Sequence, residues 1–290
     1  MIETAAPGQS AALEEVPAYL DVRKRFAAAY LRGDGLEIGA LHQPLGLPSG
    51  ARARYVDRMD VAELREQYPE LAAQEMAAVD LVEDGETLPS IPASSQDFII
   101  ANHFLEHAEN PIGTIETHLG KLRPGGVLFY ALPDKRFSFD FRRPVTPVEH
   151  LFADYEQGPE RSRAEHFEEW CRLVVDADGA HREDERPRPE DEVLRQAREL
   201  EAREYSIHMH VWTQDEFLRL LLAMREHFDG AFDLEAMART GLEFVVVLRK
   251  RGPLPEAVVT KTARLRSWAS PVKRRLLWLR DLALRRRARP

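Results

Sequence analysis

Short apolar runs alternate with helical periodicities along most of the chain. Runs at 36–38, 54–56, 79–82, 97–101 and 127–132 read as five strands, bounded by turn formers such as Gly33-Asp34-Gly35 and Arg123-Pro124-Gly125-Gly126. Between them, 16–31, 61–68 and 112–122 carry the spacing of helices. After a long interval the pattern resumes with a helix over 214–226, capped by Thr213. Two more apolar runs, 232–237 and 242–248, flank Arg239-Thr240-Gly241 and should pair antiparallel. Strands interleaved with helices predict an open α/β sheet.

The interval from 137 to 207 is something the sheet does not need. In 156–204, 25 of 49 residues are charged, and Arg186-Pro187-Arg188-Pro189 separates two helical pieces. A solvated helical cap is the simplest reading of that composition. Its place after the fifth strand gives it a second meaning, because ligands of open α/β sheets sit beyond the carboxyl ends of the strands. The chain thus divides into a core (1–136 and 208–250), a helical insertion (137–207) and a tail (251–290).

With 290 residues and 44% hydrophobic content, the chain can bury a sizeable core. No apolar run reaches the roughly eighteen residues of a membrane span, and the first residues lack a signal-peptide pattern, so a cytoplasmic protein is expected. The single cysteine, Cys171, excludes an internal disulfide and any Cys-rich zinc site. The net charge of −9 hides an asymmetry: 251–290 carry 12 Lys/Arg against 2 Asp/Glu. A body that acidic should repel nucleic acid.

Chemistry first becomes legible at the strand ends. Glu37 and Gly39 close the first strand, Asp57 the second, and Asp84-Gly85 follows the third. A Gly where a strand gives way to a helix lets a ligand approach backbone N–H groups, and an acid about 20 residues on can accept both hydroxyls of a ribose. An acid after the third strand, or its neighbouring backbone, can then address adenine. A lone strand-end acid is commonly a turn former. Three at successive strand ends describe a nucleoside site.

The same residues carry a family resemblance. Gly35-Leu36-Glu37-Ile38-Gly39, Tyr55-Val56-Asp57, Asp84-Gly85-Glu86-Thr87-Leu88-Pro89, the run from Asp97 to Asn102-His103-Phe104-Leu105-Glu106-His107, and Leu122-Arg123-Pro124-Gly125-Gly126 occur in order. They resemble the class I S-adenosylmethionine-dependent methyltransferases, in particular the small-molecule group with a Leu-Glu-His signature, over about 33–136 and again at 208–250. The resemblance implies a doubly wound, seven-stranded Rossmann-like sheet with an antiparallel last strand, and S-adenosylmethionine as cofactor. It places Glu37 and Gly39 at the methionine and ribose region, Asp57 at the ribose, Asp84 and Gly85 at adenine, and Asn102 or His103 at the sulfur side.

One departure matters. The family continues Glu-x-Gly-x-Gly-x-Gly, whereas Gly39 here precedes Ala40-Leu41-His42-Gln43-Pro44. Leu41 is ill suited to a left-handed backbone, so the loop is expected to take another path. The missing glycines also argue against a nicotinamide dinucleotide, whose pyrophosphate needs that turn. His103 to His107 matches the His-x-x-Glu-His zinc motif of inverted metalloproteases, but that motif belongs on a long helix and this string follows a strand.

A hydroxyl acceptor of the methyl group would need a base. Candidates are Asp134, His150, His166 and His210, the last paired with His208. His208 and His210 would face one side of an extended segment and could share a metal with Asp134, although no metal ligand is assigned. The acidic cap and the histidines suit a polar acceptor, first of all a hydroxyl on a sugar, glycan or glycosylated metabolite. Alternatives are a cofactor-binding sensor without turnover, or methylation of a lipid-linked or small aromatic acceptor at a membrane. The last draws on the tail, where Val272, Leu276, Leu279 and Ala283 fall on one face of a basic helix. That helix could lie on the inner membrane face, dock on the acidic body, or join a second copy of the chain.

Overall fold

The computed structural model describes residues 18–71, 73–182, 186–252 and 254. Helix α1 (Ala18–Tyr30) leads into β1 (Gly33–Ile38), β2 (Ala51–Asp57), α2 (Val61–Gln67), β3 (Leu81–Val82), β4 (Gln96–Asn102), α3 (Pro111–Lys121) and β5 (Leu122–Pro133). Then come α4 (Val148–Gln157), α5 (Arg163–Leu173), α6 (Glu190–Ala202), α7 (Gln214–His227), β6 (Phe232–Thr240) and β7 (Glu243–Lys250). The seven strands lie in the order β3-β2-β1-β4-β5-β7-β6, with β1 to β5 parallel and β7 antiparallel to both neighbours. This is the doubly wound sheet that the motifs implied.

Alternation along the central strands builds the two layers. Phe98 and Ile100 of β4, Val127, Phe129 and Ala131 of β5, and Val245 and Val247 of β7 meet Ala27 and Leu31 at the end of α1. The intervening Ile99, Leu128, Tyr130, Leu132, Val246 and Leu248 face α3, α4 and α7 through Ile115, Leu119, Leu151, Phe217 and Met224. Burial on both faces explains why these strands read as continuous apolar runs.

Three boundaries differ from the sequence reading. β3 pairs through only two residues. The turn at 123–126 lies inside β5 as a bulge exposed at 123–125, with Gln96 opposite Leu122 and Phe98 opposite Val127. Gly125 at φ +82° lets the chain loop out there. Thr213 stands at the N-cap of α7 without capping it, because its hydroxyl donates to the Glu216 carboxylate.

Within the insertion, α5 and α6 close a small core of their own around Phe167, Trp170, Val174, Val193 and Ala197. Helix α4 belongs instead to the main core, through Leu151, Phe152 and Tyr155. The tail helix expected near 271–283 lies outside the described residues. Among the described residues, no helix is long and apolar enough to cross a membrane.

Candidate active site

Strand order reverses between β1 and β4, since the chain winds outward in one direction through β2 and β3 and in the other through β5. A crevice must open there, beyond the carboxyl ends of the strands. Two chambers occupy it, of about 460 and 370 Å³, and they share Ile38, Gly39, Leu41 and His103. Gly39 directly follows β1 at φ +66°, a conformation that favours glycine. Leu41 takes φ +48°, which corrects the expectation that it would avoid the left-handed region. The loop keeps a glycine-like backbone turn without the glycine, at the conformational cost usual for such residues near functional sites.

The larger chamber receives Asp57, Asp84 and Gly85 together. Asp57 is partly buried, and burial raises its carboxyl against the opposing N–H groups of Arg58 and Met59. The Asp84 carboxylate is drawn into its own turn, accepting from the Glu86 N–H at 3.0 Å and the Thr87 hydroxyl at 2.6 Å. Gly85 is confined by close packing: a Cβ there would lie 2.6 Å from Ile38 Cγ2 and 2.8 Å from Phe104 Cζ. Its carbonyl accepts from Nε2 of His118 at 2.8 Å, while the Tyr130 hydroxyl donates to Nδ1 at 2.7 Å. Burial lowers His118 to about 4, so the ring is neutral and its single N–H serves Gly85.

The smaller chamber holds Arg23, Glu37, Asn102, His103 and Glu243. Glu37 Oε1 accepts the Leu45 N–H at 2.8 Å, while Oε2 is buried without a hydrogen-bond partner. Burial pushes its carboxyl up to about 7, against the Leu45 hydrogen bond and Arg23. Both amide atoms of Asn102 are also buried and unpartnered. Such groups are costly unless a ligand satisfies them.

His103 follows β4 at φ +50°, between the two chambers. Its Nε2 lies 2.7 Å from Glu243 Oε2 and its Nδ1 3.4 Å from Glu106 Oε1. Burial opposes the ring's charge, but the two carboxylates prevail and raise His103 to about 9, so it is cationic at neutral pH. Arg23 grips Glu243 with two guanidinium nitrogens, its Nε at 2.7 Å from Oε1. Glu106 and His107 form a single 3₁₀ turn, the geometry of a strand exit and not of a metalloprotease helix.

The four candidate bases lie elsewhere; none lines either chamber. Asp134 is buried under Arg136, whose Nε and Nη2 reach its carboxylate at 2.9 and 2.6 Å. Burial would raise its pKa, but those bonds lower it. His150 and His166 meet through their Nε2 atoms at 3.1 Å, and the His166 and His210 rings lie 4.7 Å apart. Burial and His150 lower His166 to about 4. The expected sharing of a metal by His208, His210 and Asp134 is likewise corrected. His208 Nδ1 goes to Asp140 at 2.6 Å, His210 Nε2 meets the Glu109 carbonyl oxygen at 3.3 Å with its ring beside His166, and Asp134 is held by Arg136.

Sequence reasoning missed Arg23, Glu243 and His118, which hold the strand-end residues in place. It also missed Arg143, a buried cation that donates to Asp140, Glu169 and the carbonyls of His208 and Met209, tying the returning chain to the insertion. Only the Leu-Glu-His string hinted at such a network, through the charge it places beside the strand end.

The strand order and the crevice at its switch point define a doubly wound α/β protein, with strand-end acids gathered at the crevice. A family model described as "Methyltransferase domain" matches residues 14–224. The chain belongs to that methyltransferase family, as its motifs implied. No curated protein matches it. Among solved structures it is similar to a SAM-dependent methyltransferase from Aquifex aeolicus, at 12% identity and TM-score 0.40, covering 81% of this chain and 94% of that one. It is also similar to a SAM-dependent methyltransferase from Methanosarcina mazei, at 17% identity and TM-score 0.42, covering 78% and 96%.

Proposed function

We propose that the chain transfers the methyl group of S-adenosylmethionine to a hydroxyl of a polar small molecule, of which a sugar or glycan is the first choice. The observation that carries this reading is the pair of chambers meeting at Gly39 and His103, with Asp57 facing one and the unpartnered polar atoms of Glu37 and Asn102 in the other. An adenosine suits the first and a charged amino-acid end the second.

The residues present suit that cofactor. Glu37 Oε2 lacks a donor and the Asn102 amide lacks both a donor and an acceptor, needs that an α-ammonium and an α-carboxylate meet. Asp57 would accept from ribose hydroxyls, and the backbone at Gly85, fixed by His118, would border adenine. When bound, the cofactor supplies a carbon on cationic sulfur, already activated for in-line displacement. The chain's work is then alignment. His103, cationic and clamped by two carboxylates, positions and does not accept a proton at neutral pH. None of Asp134, His150, His166 and His210 borders the chambers, so the proton that the acceptor hydroxyl releases passes to solvent in the crevice and not to one of these four.

The polar choice of acceptor rests on the lining. Arg163, Glu201, Glu204, Tyr205 and Ser206 of the insertion wall the larger chamber beside Phe167 and Met209, and the smaller one carries Arg23, Glu37, Asn102 and Glu243 among apolar residues such as Ile38, Leu41 and Leu242. Fractionated extract incubated with labelled methyl donor, followed by mass spectrometry, tests the reading. Label in hydroxylated saccharides supports it; label confined to flat apolar acceptors overturns the substrate class, and failure to bind the donor overturns the function.

A further inference from the structure

Among the described residues, the larger of two tight sets of potential ligand groups lies outside the crevice and is not used by the proposed reaction. His150 and Asp154 stand one turn apart on α4, His166 lies on α5, and His210 lies on the segment returning to the sheet. One potential ligand atom from each falls within 4.8 Å of the other three. His150 Nε2 is 3.1 Å from both His166 Nε2 and Asp154 Oδ2, and His210 Nε2 is 3.9 Å from Asp154 Oδ2.

Hydrogen bonding alone does not account for this arrangement. His150 Nε2 faces two groups at 3.1 Å, of which His166 Nε2 is its hydrogen-bond partner and Asp154 Oδ2 only a charged neighbour. Asp154 Oδ2 and His210 Nδ1 are buried without a hydrogen-bond partner, while His210 Nε2 lies 3.3 Å from the Glu109 carbonyl oxygen, which leaves Nδ1 as the free nitrogen of that ring. Tetrahedral zinc with ligand bonds of about 2.0–2.1 Å spaces its ligand atoms by roughly 3.3 Å, close to the two shorter separations. The surroundings also resemble an outer shell: Asp154 Oδ1 accepts from the Ser162 hydroxyl at 2.7 Å, which leaves Oδ2 for another partner.

We propose that His150, Asp154, His166 and His210 form a structural site for a zinc-like divalent cation. Four protein ligands complete a tetrahedron and leave no open position for substrate, which makes the ion a brace and not a catalyst. It joins three stretches of chain that are separate in sequence. Two of them are helices of the insertion and the third leads from it back to the sheet, where Trp212 bridges to Asp134. Next to His166, Phe167 lines the larger chamber, as does Arg163 one turn earlier, paired with Glu109 at 2.6 Å. The brace would therefore set one wall of the crevice without entering it.

The site stands whether or not the chain transfers methyl groups, so its test reads metal and not turnover. Purified full-length protein should contain one zinc per chain by atomic emission, and chelation should lower its melting temperature. Stripped protein titrated with cobalt(II) should develop the intense visible bands of tetrahedral coordination, saturating at one ion per chain. Those bands should vanish in Asp154→Asn and persist in His208→Gln, which alters the neighbouring Glu106, His107 and His208 group. His166→Cys keeps a ligand at that corner and should add a thiolate-to-cobalt charge-transfer band in the near ultraviolet, which reports ligation directly even where a truncated variant folds poorly. Wild-type protein that develops no tetrahedral cobalt bands overturns the assignment. So do bands that survive Asp154→Asn but disappear in His208→Gln.

Discussion

His103 Nε2 lies 2.7 Å from Glu243 Oε2, so the residue that follows β4 is fastened to the residue that opens β7. The contact exists because β7 runs antiparallel beside β5, pairing Glu243 with Pro133 at the carboxyl edge of the sheet. A cation is thereby fixed where two chambers join.

That clamp makes stability depend on pH in a defined window. His103 is raised from 6.5 to about 9 in the fold, so its contribution is fully present below pH 6.5 and is lost as pH rises through about 9. Thermal melts of wild type should therefore fall towards those of His103→Gln between pH 7 and about 9.5. Parallel curves across that range would show that the pair contributes no linked stability.

Glu37 produces a second window. Its folded carboxyl is raised from 4.5 to about 7, so its favourable contribution is complete below about pH 4.5 and lost as pH rises through 7. Without ligand, Glu37→Gln should match wild type near pH 5 and exceed it by up to about 3 kcal/mol at pH 8 in denaturant titrations, because each tenfold change in proton affinity is worth about 1.4 kcal/mol. Cofactor binding near pH 6.5 should release a proton from wild type alone, seen as a calorimetric heat that changes with the buffer's ionisation enthalpy.

Asp57→Ala removes the proposed ribose acceptor and keeps the turn, because the Arg58 N–H that its carboxylate accepts lies at an exposed position where water can replace it. Loss of hydrogen bonds to a charged group, about 1.5–3 kcal/mol, weakens S-adenosylmethionine binding roughly 10- to 100-fold by calorimetry. Unchanged affinity removes Asp57 from the site.

His118 links Gly85 to Tyr130 inside the core. His118→Leu strands a carbonyl and a hydroxyl, and should destabilise the fold by about 2–6 kcal/mol, at about 1–3 kcal/mol for each unsatisfied group. Adding Tyr130→Phe should restore part of the loss, because one stranded group disappears. Strict additivity in that double-mutant cycle would deny the coupling.

Much of the sheet and the row of strand-end residues at its carboxyl edge was legible because it is local. Alternation along β4 and β5 marks strands buried on both faces, and Glu37, Gly39, Asp57 and Asp84 sit where those strands end. Errors arose where a local rule met a tertiary demand. Leu41 adopts a positive φ despite its side chain, and Thr213 spends its hydroxyl on Glu216. The histidines offered no local sign of their partners. His150 and His166 lie on separate helices, and His208 and His210, two residues apart, go to different neighbours.

What the sequence determined alone was the order of strands and helices and the identity of the residues at each strand end, since both follow from backbone preference and hydrophobic period within a few neighbours. What only the tertiary structure decided was the electrostatic state of those residues. Arg23 and Glu243 are 220 positions apart, and Glu243 and His103 are 140 apart. The charge of His103 and the proton affinity of Glu37 depend on burial and on partners brought together only when the sheet closes in its crossed order.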